Sequence, residues 1–217
     1  MADKPIAFNH EMVLALLARR KTQTRRTMDP QPIQKTGATE VDGGVLEPLE
    51  YYEPPPVRNC PYGAPGDYLW VRERMRVIEV VGHMKPATAI RVEYEADGSE
   101  SEWINVPHRL KEKPEVGKCL SNGGFREASR MSLRIKQTGA ERLQDISTSD
   151  VRAEGVRVSE FNMFGGTRVT RQEIAAITYS LTWNSIYGRT GHAWKHNPFV
   201  WVVVFRMLLK NIDTIRS

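Results

Sequence analysis

The sequence predicts an α+β fold, a small mixed β-barrel flanked by helices. Short segments rich in β-branched and aromatic residues recur along the chain, and segments with helical spacing of apolar residues lie between some of them. No internal repeat is visible, and 217 residues suit one domain that buries a core of its own. We therefore expect a single domain over residues 1–217.

Two segments near chemically interesting residues have the signatures of helices. Residues 11–20 (EMVLALLARR) show amphipathic spacing, and Asn9 is a suitable N-cap. A second, shorter helix can be capped by Ser147 or Thr148 and is predicted to stop at Gly155.

A third helix is predicted over residues 171–187, closed by Gly188. Apolar side chains recur in it at helical spacing, and we expect this face to pack against the rest of the fold: Ile174, Ile177, Leu181 and Trp183 or Ile186.

Strands are predicted at residues 68–72, 89–95, 129–138 and 199–209. The first follows a Pro-Gly-Asp turn, and the last is a continuous apolar run, typical of a strand buried on both faces. Within the third of these strands, Arg134 and Lys136 alternate with apolar residues. This basic outer face is a candidate contact surface. Residues 28–58, rich in proline, and the polar residues 96–126 are predicted to be irregular loops or insertions.

Composition and charge narrow the class of protein. The net charge of +5, from 31 basic and 26 acidic residues, is a modest basic excess that weakly favours nucleic acid. Cys60 and Cys119 have no CxxC partner, which argues against a zinc ribbon or a disulfide framework and favours free thiols in a reducing compartment. The first residues lack an apolar signal core, and the run 199–205 is too short to span a bilayer. We expect a soluble, cytoplasmic protein without membrane contact.

The densest local feature is the segment 19–26 (RRKTQTRR), with five cations in eight residues. If the segment is extended, Lys21, Gln23 and Arg25 point to one side and Arg20, Thr22, Thr24 and Arg26 to the other. Either side can line a cleft in which arginine binds phosphates or base edges. A solvated basic turn is the simpler interpretation of the same spacing.

Four blocks carry a resemblance to a known family: RRKTQTRR after an amphipathic helix, PGDYLWVRE, RLQDISTSDVRAEGV and NPFVWVVVFR. In this order they resemble an ASCH-domain protein of the phage or prophage type. The resemblance implies a PUA-like barrel whose cleft lies between the RKTxTxR segment and the short AEG helix. Small bacterial members are amidohydrolases that remove the acetyl group of N(4)-acetylcytidine with a lysine, a threonine and a glutamate.

Carried over to this chain, the catalytic residues fall on Lys21, Thr24 and Glu154. Thr24 is then the nucleophile, Lys21 the base and Glu154 the group that orients the base. Lys21 needs a pKa lowered by burial or by neighbouring cations.

Further residues are expected at the nucleic-acid or substrate-binding surface: Arg20, Arg25, Arg26, Glu73 and Trp70. The last of these could stack on a base. The chain departs from the family in having Arg19 where glycine is common, and in insertions near 28–58, 96–126 and 156–190 that could cover or reshape the cleft.

Three functions remain open. The first is an amidohydrolase acting on an acylated cytidine or a related modified base. The second is a nucleic-acid-binding module, for RNA rather than DNA and with or without ribonuclease activity, in which Lys21, Arg25 and Arg26 bind phosphates. The third is a phage accessory protein that contacts only protein. No cofactor or metal is expected, since His192 and His196 lie in a Gly- and Pro-flanked segment without a third ligand.

Overall fold

The computed structural model describes residues 3–32, 34–40, 46–52, 59–82, 88–107, 109–110, 113–120, 124–158, 163–164 and 167–215. Of residues 34–40, 46–52, 163–164 and 167–168 it describes the backbone alone.

The described part combines helices and strands in one α+β fold. In chain order the elements are β1 (Asp3–Ala7), α1 (His10–Leu17), β2 (Gln23–Thr27), β3 (Gln34–Glu40), β4 (Leu46–Tyr52), β5 (Tyr68–Arg72), β6 (Met75–Val81), β7 (Ala89–Tyr94), β8 (Ile104–Asn105), β9 (Ser132–Arg142), α2 (Thr148–Ala153), β10 (Met163–Phe164), β11 (Thr167–Arg168), α3 (Arg171–Tyr187), β12 (Phe199–Leu208) and α4 (Ile212–Ile215).

The main sheet has five strands in the order β1-β5-β9-β12-β2. Only the pair β1–β5 is parallel, and the other neighbours are antiparallel. Among the described strands, β1 and β2 lie at opposite edges and do not pair, so these strands do not form the closed barrel that the sequence predicts. A side chain links the edges instead, because Arg26 of β2 donates a hydrogen bond to the carbonyl of Ala7 at 2.6 Å.

Apolar residues pack on one face of this sheet and on part of the other. On one face, α1 packs Val13 and Leu16 against alternate residues of β5, β9 and β12. On the other, α2 and α3 pack against the end of the sheet formed by β12 and β2, around Val200. A separate three-stranded sheet, β6-β7-β8, has its own core.

Several predicted elements are confirmed. Helix α1 is capped by Asn9, α2 by Ser147, and α3 spans the predicted residues, 171–187. Strands β5, β7, β9 and β12 lie within a few residues of their predicted bounds, and Arg134 and Lys136 are exposed as expected.

The buried face of α3 was predicted only in part, since Ile174 and Trp183 are buried as expected. The residues it buries are Ile174, Ala175, Tyr179 and Trp183, whereas Ile177 and Leu181 are 38% and 69% exposed. Aromatic rings bury more surface than aliphatic side chains, so the face that carries them is the one that packs.

The segment 28–58 is also more regular than predicted. Strands β3 and β4 pair as an antiparallel hairpin within it, with Gln34 opposite Tyr52. Backbone pairing between two neighbouring segments does not require a strong strand propensity, since context decides more than composition does.

Candidate functional site

The end of helix α1 directs Lys21 into the interior. Arg19 adopts a left-handed conformation with φ of 56°, and the amides of Arg19 and Arg20 donate to the carbonyls of Leu16 and Ala15 at 2.8 and 2.9 Å. This is the Schellman arrangement, in which glycine is the usual left-handed residue. It therefore places a left-handed turn at the position where the family resemblance expects glycine.

Helix α2 places Glu154 opposite this turn. A capping box between Ser147 and Asp150 begins the helix, and Glu154 ends it. Gly155 follows with φ of 87°, and a Cβ there would lie 2.7 Å from the Cβ of Ala15 and 3.1 Å from that of Lys21. The close approach of the two helix ends therefore depends on a glycine.

Lys21 and Glu154 form a buried ion pair. The Lys21 ammonium donates to Glu154 Oε2 at 2.6 Å and to the Glu154 carbonyl at 2.9 Å. The two side chains are 0% and 3% exposed. Burial lowers the pKa of Lys21 and outweighs the Glu154 carboxylate, which raises it; Arg26 and Arg25 lower it further.

A second cation shares the same carboxylate. Arg25 Nε donates to Glu141 Oε1 at 2.7 Å, and its guanidinium nitrogens lie 3.4 Å from both Glu154 and Asp150. The amide of Gln23 donates to Asp150 Oδ1 at 3.0 Å. Lys21, Gln23 and Arg25 thus bind carboxylates of β9 and α2, and all three are buried.

Thr24 lies on the other face of β2. It is directly opposite Val203, just as Arg26 is opposite Trp201, so Thr24 and Arg26 share the face that carries the main core. The Thr24 side chain is buried, and its hydroxyl has no hydrogen-bond partner among the described residues.

The Phe8 ring connects this face to the ion pair. The Lys21 ammonium lies 5.6 Å from the ring centroid, and the Arg26 guanidinium carbon lies 5.0 Å from it. Both cations therefore contact one aromatic ring, on the side of the sheet where Thr24 is buried.

Tyr179 of α3 covers the ion pair, and sequence analysis did not single it out. Burial raises the pKa of its hydroxyl well above 10.0, and the neighbouring Glu154 carboxylate raises this pKa further. The ring packs against Trp183 and Trp194 with centroids 6.2 and 6.1 Å away. A tyrosine within an amphipathic helix carries no sequence signal for such a role, and the misassigned face of α3 concealed it.

A groove runs between α1 and α3 beside these residues. A cavity of about 810 Å³ lies between Leu14 and Leu181, with Arg20 and Glu154 in its wall. A second cavity, of about 500 Å³, is lined by Phe8, Tyr62, Arg26 and Tyr187. Between them is a constriction of about 10 Å³, lined by Met12, Arg26, Glu154 and Tyr179 among others. Both cavities are in the size range of small-ligand sites.

The remaining predicted site residues are placed as follows. Arg20 donates to the carbonyl of Gly155 at 2.5 Å at the larger cavity, and Arg26 lines the smaller one. Glu73 lies elsewhere, in a bidentate ion pair with Arg130 at 2.8 and 2.7 Å. Trp70 is half-buried on β5, on the opposite face from the core residues Leu69 and Val71. The structure thus brings together the cluster from β2 and α2, and leaves Glu73 outside it.

Comparison of the chain with protein-family models, curated proteins and solved structures gave no match in any of the three. Within the residues that the structure describes, no three His, Cys, Asp or Glu side chains are grouped as metal ligands would be. No helix in the described ranges has the length and apolar character that a membrane crossing needs.

Proposed function

We propose that this chain is an ASCH-type, PUA-like protein that hydrolyses the amide of an N(4)-acylated cytidine or a related modified base. The observation that carries the proposal is the buried pair of Lys21 and Glu154, 2.6 Å apart although 133 residues separate them in sequence. The family resemblance names these two residues from separate motifs. The resemblance requires Lys21 and Glu154 to lie in one site.

The side chains suit the chemistry of acyl transfer. Neutral Lys21 takes the proton of the Thr24 hydroxyl while the Thr24 oxygen attacks the acyl carbon, and it then gives that proton to the amine of the leaving cytidine. Water then attacks the acyl carbon while Lys21 takes a proton from it, and Lys21 returns that proton to the Thr24 oxygen as the acyl group leaves as a carboxylic acid. The lowered pKa of Lys21 favours the neutral form that this role needs, and Glu154 fixes its orientation.

The unpartnered hydroxyl of Thr24 also supports the proposal. Buried polar groups are nearly always hydrogen-bonded, and an exception calls for a reason. A nucleophile that must be free to attack supplies one. Because Thr24 is 0% exposed and lines none of these three cavities, the proposal requires the side chains that cover it to move when substrate binds.

Binding of phosphates by the cleft itself has less support. Lys21 and Arg25 are 1% and 2% exposed, and carboxylates already occupy their charged groups. A phosphate would have to displace Glu154 or Glu141, which like charge and burial both oppose. No observation specifically favours a role in protein contacts alone. Helix α3 covers the ion pair but leaves the groove beside it uncovered.

The test is chromatographic detection of cytidine after incubation with N(4)-acetylcytidine and a chelator. We expect release by the wild type and by Lys195→Ala, a control that removes an exposed lysine away from the groove. We expect none above background from Lys21→Ala, with its fold verified by circular dichroism. Undiminished release by Lys21→Ala, or none by the wild type, would contradict the proposal.

A further inference from the structure

The outer face of the main sheet carries a row of cations that the proposed site does not use. Arg134 of β9 lies directly opposite Arg206 of β12, and Lys136 follows Arg134 by two residues along β9. All three side chains are exposed. We call these three residues the basic row. They point away from the core, because their strand neighbours Leu133, Ile135 and Phe205 belong to it.

Nothing in the described part of the chain neutralises the basic row. None of its three charged groups has a hydrogen bond or ion pair there. Two like charges directly opposite each other on paired strands are destabilising. Nor do the charges protect a sheet edge from aggregation, because β9 and β12 are inner strands.

Several other arginines on the described surface are paired, although exposed Arg171 and Arg189 are not. Arg91 binds Glu79 and Glu100, Arg109 binds Glu127, and Arg126 binds Asp213. The chain therefore places carboxylates beside its arginines in several surface positions, and does not do so at the basic row. The basic row itself carries a single sign of charge, and Asp3, which lies next in line beyond Tyr68, is paired with Arg126, so the row is complementary to a polyanion.

The spacing of the cations suits a phosphate chain. Paired strands lie about 5 Å apart, and residues two apart on a strand are separated by roughly 7 Å. The half-buried Tyr68 of β5 is opposite Arg134, so an aromatic residue lies in the same line as the two arginines. Open sheet faces that combine cations and aromatic residues bind single strands, whose unpaired bases can stack.

We propose that the basic row binds the phosphate backbone of single-stranded nucleic acid. This surface is separate from the Lys21–Glu154 site, which lies beyond β12 at the edge strand β2. It does not depend on hydrolysis, so either proposal can fail without the other.

The test is fluorescence anisotropy with a labelled single-stranded RNA of twelve mixed nucleotides, at 50 and 200 mM salt, using the full chain. The test variant carries Arg134→Gln, Lys136→Gln and Arg206→Gln. The control carries Arg171→Gln, Arg189→Gln and Lys195→Gln, which removes three exposed charges elsewhere. Parallel titrations use single-stranded DNA of the same sequence and a poly-glutamate peptide of equal length.

We expect the control to bind like the wild type and the test variant to bind at least about tenfold more weakly. Each phosphate contact contributes about 0.7 to the salt slope on a single strand, so the slope should fall by about 2. Equal affinities of the two variants, no binding by the wild type, or poly-glutamate binding as tight as RNA would each overturn the proposal. Because the three side chains are exposed, an unfolded test variant is not expected; the single variant Arg206→Gln, predicted to bind more weakly than wild type, serves as a second measurement.

Discussion

At the scale of single residues, the Thr24 hydroxyl is the least satisfied feature of the described site. Its oxygen is buried without a partner, whereas neighbouring Gln23 and Arg25 are fully engaged. A buried hydroxyl in this state costs about 1–3 kcal/mol of folding free energy. Replacing the hydroxyl with a methyl group should therefore remove this loss of folding free energy. Only the proposed chemistry gives a reason for keeping the hydroxyl.

We predict that Thr24→Val raises the free energy of unfolding by about 1 kcal/mol and abolishes release of cytidine from N(4)-acetylcytidine. Urea unfolding and the chromatographic assay measure the two effects. Thr24→Ser, which keeps the hydroxyl, should retain hydrolysis. Full activity of Thr24→Val would remove Thr24 from the mechanism, and a loss of stability would show that its hydroxyl has a partner.

Sequence patterns predicted some of these residues and not others. The sidedness of β2 was predicted from alternation, and Lys21, Gln23 and Arg25 do share a buried environment. The family resemblance named Glu154 as the partner of Lys21. The carboxylates that bind Gln23 and Arg25 were not predictable, because Glu141 and Asp150 come from elements whose pairing depends on tertiary structure. Helix periodicity does not distinguish a tyrosine that lies beside a buried carboxylate from one that packs only in a core.

At the scale of elements, the site depends on how closely the ends of α1 and α2 approach. The amide of Thr22 donates to the carbonyl of Ala153 at 2.8 Å, and Gly155 fits against Ala15. Both helices were predictable because their caps are encoded locally by Asn9 and Ser147. Strand β2 was harder to assign, since its sequence QTRRT is polar and becomes buried only through long-range ion pairs.

We predict that Gly155→Ala lowers the free energy of unfolding by about 2 kcal/mol or more and also lowers the rate of hydrolysis. The new methyl group would clash with Ala15, in a backbone conformation that disfavours any side chain. Gly191→Ala is the control, because a Cβ there meets nothing within 4 Å. Thermal unfolding of both variants measures the difference, and equal melting temperatures would mean that α2 can shift without cost.

At the scale of the whole molecule, two sheets with separate cores are joined by a cluster of charged residues around the buried Glu73. Glu73 lies between β5 and β6, and Arg130, just before β9, binds both Glu73 and Asp97 while its guanidinium carbon lies 4.0 Å from the Tyr94 ring centroid. Burial raises the pKa of Glu73, although Arg130 opposes the shift. The α+β class was predictable from the alternation of patterns. Pairing between strands distant in sequence was not predictable, and this pairing decides which edges of the sheets stay unpaired.

We predict that Glu73→Ala lowers the free energy of unfolding by about 2 kcal/mol, because it leaves part of the Arg130 guanidinium without its buried partner. Glu100→Ala is the matched control. It removes an exposed partner of Arg91 and should cost under about 1 kcal/mol. Chemical denaturation of the two variants tests the prediction, and equal midpoints would show that Glu73 does not stabilise the junction of the sheets.

The strand order of the main sheet has a consequence for the growing chain on the ribosome. In the described part of the molecule, β2 pairs with β12 and with no other strand, yet nearly all of that part is synthesised between them. Lys21 and Thr24 therefore stay exposed to solvent until β12 has emerged from the ribosome. A partly made chain cannot display the assembled site, so any chemistry that it performs begins only after β12 has been synthesised.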